Sequence, residues 1–442
     1  MQLIGKVIIL FLIIFKFRIP VVYDTTFLSI LLCSIYYLFT RKAIPFTYFF
    51  WRYSITIFVG LFLFCCIFAF VTIVHAEFDF IYLSILAFQF IMLFALVYAL
   101  PFLLEDTEEP DVFGDALYLV CLAFAVQGFI QLMAFIIPSF GDYMISIKPI
   151  ETRDTLLNSS LNVYFRGYAL SGSIFFELPA GFGVAFIAFI RILFIKNQKY
   201  ITGYKGYIMF FLFVFGSALS GRTAFVGLIV SLVLGIMFIK NPTVLFFKIL
   251  KPAAILIFSG IILYTVLPSR QRIILEEHIF PFAFEFYYKY ELSGKMSTGS
   301  TDVMIHDHYF KLPDEIIMQG TGRYVPRNGN GFYMNTDAGY MRNVIFGGIF
   351  YLLCVVFYQF LYFIKPLSIT SRLCRTKEGY EDFMFFLAVF LYLFILEYKG
   401  SALAFMNIMQ VLLLFFGMTY LIRHYYRKES EESEENEITQ EI

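Results

Sequence analysis

The chain has 442 residues, 60% of them apolar, 21% aromatic and only 15% charged, with 33 basic residues balanced by 33 acidic ones. That composition excludes an ordinary soluble domain. Long unbroken apolar runs also exclude a transmembrane barrel, whose strands alternate, and leave helices as the way to satisfy a backbone in lipid.

A hydrocarbon core of about 30 Å takes roughly 20 apolar helical residues to cross. Hydropathy predicts about twelve such spans, near residues 3–19, 22–40, 52–74, 79–103, 113–137, 171–195, 204–220, 223–239, 249–267, 338–364, 380–397 and 401–422. The first apolar run, Val7 to Phe15, meets Lys16 and Arg18 and has no small-residue cleavage site, so it reads as a retained helix. If the spans alternate, Arg41 and Lys42, Lys196 to Lys205, Lys240 to Lys251, Lys365 to Lys377 and Arg423 to Lys428 share one side. The positive-inside rule makes that side cytoplasmic, with both termini on it. Only the acidic loop Glu105 to Asp115 fits poorly, and acidic residues weigh little in topology.

The expectation is therefore an all-α polytopic membrane protein with one integral domain over residues 1–428 and an acidic, disordered cytoplasmic tail over 429–442. Length accumulates on the outer side, in loops 138–170 and 268–337, the larger between the ninth and tenth spans. Loops of that size are usually functional, and these are rich in Tyr, Phe, Ile and Leu, as a cap over the bundle would be. Arg270 to Leu292 mixes aromatic and charged positions like an interfacial helix pair. Asp302 to Gln319 reads as another short helix, stopped by Gly320. The six cysteines, Cys33, Cys65, Cys66, Cys121, Cys354 and Cys374, show no CxxC spacing and no companion histidines, so neither a disulfide framework nor a metal site is indicated.

Between Met296 and Gly348 the chain turns polar and glycine-rich, through GTGR at Gly320 to Arg323 and TDAGYMR at Thr336 to Arg342. Four arginines, Arg166, Arg222, Arg323 and Arg342, fall where an outer cavity would lie. A boundary arginine can simply snorkel to headgroups. Arg222 and Arg342 also adjoin helix ends and small residues that leave room for a ligand. Guanidinium groups pair bidentately with phosphate, and helix N-termini at Thr223 and near Thr336 would add N–H donors. The implied ligand is anionic, membrane-borne and reached from outside, as a polyprenyl-pyrophosphate sugar is. For proton transfer the candidates are His306, His308, Asp337 and Glu177. The histidines also read as an ordinary polar loop face, and Asp337 as a helix cap. Glu177 is expected about one and a half turns inside its helix, where a carboxylate is costly.

Taken together, RGYALSGSIFFELPAGFGVAF from Arg166, ALSGRTAFVGLIVSLVLG from Ala218, the large outer loop, GTG and TDAGYMRNVIFGGIFYLL from Thr336 resemble the bacterial O-antigen and capsule polysaccharide polymerases, in a superfamily shared with O-antigen ligases. The resemblance covers roughly the C-terminal two-thirds of the chain. It implies a glycosyltransferase type C-like bundle in the bacterial cytoplasmic membrane that works without metal or cofactor, has no nucleic-acid partner, and joins undecaprenyl-pyrophosphate-linked repeat units on the outer face. A separate chain-length regulator is a further implied partner. Arg222 would hold pyrophosphate, Arg166 and Arg342 would clamp it, and Asp337 or His308 would take the acceptor's proton. A ligase would carry a histidine in the same loop, so His306 and His308 keep that alternative open. A flippase or transporter would show short loops on both sides instead.

Overall fold

Backbone groups with no water in reach must bond within their own segment, so a chain this apolar folds as helices. The computed structural model describes residues 2–18, 24–40, 48–77, 80–105, 112–194, 203–238, 254, 258, 260–262, 264–294, 297–327 and 331–440. Among the described residues every regular element is helical. Six helices there are long and apolar enough to cross a membrane: Arg52–Val74, Ile81–Leu103, Val112–Ile136, Gly339–Leu373, Lys377–Lys399 and Asn407–Arg427. Four further apolar helices, Gln2–Phe15, Thr25–Thr40, Tyr204–Ser220 and Thr223–Phe238, are shorter. The architecture is consistent with an α-helical membrane protein. The span expected over 249–267 lies largely outside the described residues, as do most of the basic stretches 196–205 and 240–251.

In chain order the helices are α1 Gln2–Phe15, α2 Thr25–Thr40, α3 Tyr48–Val74, α4 Phe80–Leu103, α5 Val112–Ile136, the short α6 Pro138–Ser146, α7 Ile150–Leu157 and α8 Leu161–Tyr164, then α9 Glu177–Leu193, α10 Tyr204–Ser220 and α11 Thr223–Phe238. After the next described stretch come α12 Ser269–Ile274, α13 Glu285–Ser293, α14 Asp314–Gln319, α15 Gly339–Leu373, α16 Lys377–Lys399 and α17 Asn407–Gln440. The first turns of α17 are apolar on all sides, and Ile408, Met409, Val411, Leu412, Leu414 and Phe415 are all buried. That pattern marks the central helix of the bundle, and α1, α3, α4, α5, α9 and α15 all pack on it. Its helical backbone runs on through the acidic stretch to Gln440, where irregular chain was expected from Glu429.

The closest helix pair is α9 with α11, where a Cβ on Gly227 would sit 2.2 Å from the Gly183 Cα. Small residues let two backbones meet where apolar burial gives no extra drive to associate.

Contacts sort the helix ends into two groups. At one end Gly172 N–H reaches the Phe15 and Lys16 carbonyls at 2.9 Å, His75 Nε2 lies 2.9 Å from Gln319 O, and Asn407 N–H donates to Glu177. At the other end Arg191 of α9 holds Asp382 at 2.7 Å and Glu381 at 3.1 Å, and Arg423 holds Asp382 at 2.5 Å. That second network ties α9, α16 and α17 together with Arg423 lying 5.6 Å from the Phe113 ring. All of the long inserted segments, 138–176 and 268–338, belong to the first end, which they cap.

The cap is keyed into the bundle by glycine. Helix α15 breaks at Gly347 and Gly348, the latter at φ 71°, ψ −173°, a conformation essentially confined to glycine. Gly320, at φ 75°, fits into that break: Gly322 N–H donates to Phe346 O at 2.7 Å, and a Cβ on Gly348 would lie 2.5 Å from Met318 O. Gly320 does end α14 as expected. The stretch from Asp302 before it is not one helix, because Pro313 and an extended Tyr309 divide it.

Candidate functional site

Of the three arginines expected to hold one diphosphate, Arg166, Arg222 and Arg342, the first two approach each other. Arg166 lies in the helical turn Phe165–Tyr168 that closes the first cap segment. Arg222 occupies the two-residue step between α10 and α11. A Cβ on Gly221 would lie 3.9 Å from the Arg166 guanidinium carbon. Burial, and then the charge of Arg222, press the Arg166 guanidinium below its ordinary value. Its Nε is buried without a hydrogen-bond partner, and among the described residues no carboxylate pairs with it.

A third cation joins them. Lys399, the last residue of α16, lies 3.4 Å from the Thr223 hydroxyl and interacts with Arg222, Arg166 and Asp337. The sequence reading did not single it out, because KGS at the end of an apolar run looks like an ordinary boundary lysine. Its only sequence signal is its side of the membrane, which is also the side of the long loops.

The cap supplies the counter-charge. Glu285, the first residue of α13, forms an ion pair with Arg222 and accepts the Gly299 amide at 2.6 Å. Burial alone would raise the Glu285 pKa, but the Gly299 N–H and Arg222 outweigh it and hold the carboxyl below its usual range. Arg222 also reaches Ser300 Oγ at 3.3 Å and packs 4.3 Å from the Phe282 ring. Three cations thus share the neighbourhood of two carboxylates, Glu285 and Asp337, leaving an excess of positive charge.

Beside them the structure brings both favoured bases together. His308 Nε2 is 3.4 Å from Asp337 Oδ1, and that oxygen is buried without a hydrogen-bond partner. His308 Nδ1 lies 2.9 Å from Asn335 O. The Asp337 N–H also points at Nδ1, at 3.4 Å, so the ring is fixed from the backbone on its Nδ1 side and Nε2 is the atom turned to the carboxylate. Thr336 Oγ1 donates to the His308 carbonyl at 2.9 Å, locking the loop that presents the ring. Tyr309 stacks on Tyr398 at 4.6 Å and donates to its carbonyl, pinning the pair to the end of α16. His306, by contrast, is exposed.

Three expected site residues stand elsewhere. Arg323 forms an ion pair with Glu77 of the α3–α4 connection, which Arg327 also approaches at 3.3 Å. Hydrogen bonding to Arg323 holds the Glu77 carboxyl below its usual range. Arg342 sits in an aromatic cage, 4.6 Å from Phe332, 5.0 Å from Tyr82 and 5.3 Å from Tyr324. It donates to the Tyr82 hydroxyl and faces Glu397 rather than Arg222. Glu397 is itself saturated by Asn343 Nδ2 at 2.7 Å and the Ala402 and Leu403 amides at 2.6 and 2.7 Å, so this group clamps the α16–α17 corner. Glu177 is not buried inside a helix. It is the first residue of α9, because residues 171–176 stay irregular, and it accepts the Asn407 amide at 2.5 Å. A carboxylate at a helix N-terminus is favoured by the dipole, and Lys16 lies within electrostatic reach, which offsets part of the cost expected for an isolated intramembrane acid, while Oε2 stays buried without a hydrogen-bond partner.

Searches with the sequence and the structure matched no protein-family model, no curated protein and no solved structure.

Proposed function

We propose that this chain is a membrane-embedded glycosyltransferase that polymerises undecaprenyl-pyrophosphate-linked repeat units into a bacterial O-antigen, capsule or exopolysaccharide at the outer face of the cytoplasmic membrane. The observation that carries the reading is the convergence of Arg166, Arg222 and Lys399 beside the His308–Asp337 pair, under the cap. Cations gathered from three separate segments suit a diphosphate, and a base pair beside them suits deprotonation of a hydroxyl. Among the described residues the basic side chains Lys377, Arg423 and Arg427 lie with the Arg191–Asp382 network at the end opposite the cap. Applied to them and to the basic stretches of the sequence, the positive-inside rule favours a cap outside and both termini in the cytoplasm. Twelve spans satisfy this arrangement if the four shorter apolar helices, α9 and the 249–267 segment also cross.

In this mechanism the diphosphate of the growing chain's carrier displaces Glu285 from Arg222 and is held by Arg222, Arg166 and Lys399. An acceptor sugar hydroxyl attacks the anomeric carbon of the growing chain. The new C–O bond forms as the bond from that carbon to the phosphate oxygen breaks. The electron pair leaves with undecaprenyl pyrophosphate, whose charge the cations neutralise. The hydroxyl proton passes to His308 Nε2 and Asp337 Oδ1. Glu177, Arg323 and Arg342 shape the surroundings instead of touching the diphosphate.

The histidine in the large cap segment also favours a second reading, a ligase that moves finished glycan from the lipid carrier to an acceptor. Profiling surface glycan in a deletion strain of the source bacterium, complemented with Arg222→Ala, separates the two. A polymerase variant accumulates single-repeat lipid-linked units. A ligase variant accumulates full-length polymer still on the carrier. Normal glycan from Arg222→Ala would sink both.

A further inference from the structure

A second feature of the cap end shares no residue with the arginine cluster. A cleft of about 750 Å³ opens between the α1–α2 corner, the residues joining α6 to α7, and the irregular strand of chain before α9. That volume lies within the range of small-molecule sites, about 300–1,000 Å³. Its walls are formed at close quarters, since a Cβ on Gly172 would sit 2.2 Å from Lys16 O.

The charges are unevenly placed. Lys148 is buried, and its ammonium donates to Ala169 O at 2.5 Å and Ser171 O at 2.9 Å. Among the described residues its third N–H has no partner and no carboxylate pairs with it. Burial presses the Lys148 pKa down to about 7, so an anion at this point would restore its full charge. Lys16 lines the same cleft, 4.6 Å from the Phe88 ring. Arg18 lines it too. Of the acids, Asp24 accepts Thr26 N–H at 2.8 Å as the cap of α2, and Glu151 is exposed. Glu177, outside the lining, acts with Asp24 on the Lys16 charge, which leaves Lys148 as the cation without an acidic neighbour among the described residues. The interior is therefore basic. Thr152, Ser173, Phe17 and Phe88 also line it, while the Ser171 hydroxyl is spent within its own turn, donating to Ser173 O at 3.1 Å.

We infer that this cleft binds an anionic saccharide, with its acid group on Lys148 and Lys16, its hydroxyls on Thr152 and Ser173, and its apolar ring face against Phe17. Hydroxyl-lined walls with aromatic floors favour a sugar over an acyl chain. The inference deepens the reading of the cap end as a glycan-handling surface and rests on it.

The test uses the purified full-length chain in phosphatidylcholine nanodiscs, with cellobiouronic acid and neutral cellobiose as probes and calorimetric titration as readout. The expected result is saturable binding of the acidic disaccharide, at least tenfold tighter than the neutral one. Lys148→Met and Lys16→Gln should each weaken it at least tenfold, and Lys16→Gln carries the test alone if the buried substitution fails to fold. Equal binding of both disaccharides, or no effect of Lys16→Gln, overturns the inference. So does loss of binding in Arg222→Ala without loss in Lys16→Gln, which would seat the anion at the arginine cluster. No disaccharide binding, with Lys16-dependent thermal stabilisation by added phosphatidylglycerol, assigns the cleft to a lipid headgroup and also overturns it. Because no step here requires glycosyl transfer, a failed titration and a failed glycan profile point to different errors.

Discussion

His308 Nε2 and Asp337 Oδ1 lie 3.4 Å apart, and the oxygen has no other polar neighbour within hydrogen-bond reach. The ring is held through Nδ1, which lies 2.9 Å from Asn335 O and 3.4 Å from the Asp337 amide nitrogen, so Nε2 stays aimed at the carboxylate. An imidazole and a carboxylate facing each other in this way suit transfer of a hydroxyl proton. Asp337→Asn converts one acceptor into a donor. It is expected to lower glycan synthesis about 10²–10⁴-fold, the usual weight of a general base. His308→Ala should cost as much or less, and the double variant no more than the worse single one, because members of one proton-handling unit are not additive. In vitro turnover of lipid-linked repeat units by the three variants is the check. Multiplying losses would mean the residues act separately.

Glu285 gives the cap a dependence on acid. Its folded-state pKa lies below the ordinary carboxylate value because the Gly299 amide and Arg222 outweigh the opposing effect of burial. A carboxylate held down in this way contributes stability that is complete above its unfolded pKa, about 4.3, and is lost as pH falls through the folded value. The contact between α13 and the 297–303 segment should therefore loosen below roughly pH 4.3. Amide hydrogen exchange, corrected for its intrinsic pH dependence, should show faster opening at Gly299 and Thr301 in acid. Glu285→Gln should open them at neutral pH and abolish the change. Glu77 shifts in the same direction, but it anchors Arg323 on another segment, so exchange near Gly299 isolates Glu285.

What the sequence made legible were properties of contiguous residues. Apolar runs gave the long helices, and Gly320 gave the end of α14. Adjoining helix ends favour Arg222 and Arg342 as a pair, whereas it is Arg166 that approaches Arg222. What escaped depends on which segments meet in space. Arg342 reads like its fellow arginines in sequence, and only the approach of Tyr82, Tyr324 and Phe332 from three places turns it into a caged, structural cation. Glu77 claims Arg323 across 246 positions, a distance no local pattern spans. Glu177 was misplaced by a few residues, because hydropathy registers an apolar run and not the irregular chain of Ser171 to Phe176 at its start.

The interlock between Gly320 and Gly348 predicts that the cap is held by backbone shape. Both residues occupy φ above 70° with ψ near 180°, and each would drive a Cβ into the other's segment, at 2.4 Å from Phe346 O and 2.5 Å from Met318 O. Conformational strain alone costs about 1–3 kcal/mol at such a position, and the backbone clash adds to it. Gly348→Ala is expected to lower the melting temperature in nanodiscs and to raise protease cleavage within 310–325. Gly331→Ala, which meets nothing within 4 Å, should leave cleavage in that segment unchanged despite its own positive φ. Equal protease resistance of Gly348→Ala and the parent chain would show that the break is not what seats the cap.

At the opposite end, Asp382 is completely buried between Arg191, at 2.7 Å, and Arg423, at 2.5 Å. Removing one member of a buried ion pair outright typically costs about 3–5 kcal/mol. Asp382→Ala is expected to be the most destabilising single change at this end, because it takes a partner from two guanidinium groups at once, leaving Arg191 with Glu381 at 3.1 Å and Arg423 with Glu378 at 3.3 Å. Arg423→Met should cost less, since Asp382 keeps Arg191. Pairing Asp382→Ala with Arg191→Met should recover part of the loss, because replacing both partners of a buried ion pair by apolar groups is often close to neutral. Thermal unfolding of the three variants in the same nanodiscs gives the order. If Asp382→Ala melts with the parent chain, this network does not tie α9, α16 and α17 together. In that case the packing of α17 in the bundle centre is sufficient to hold them.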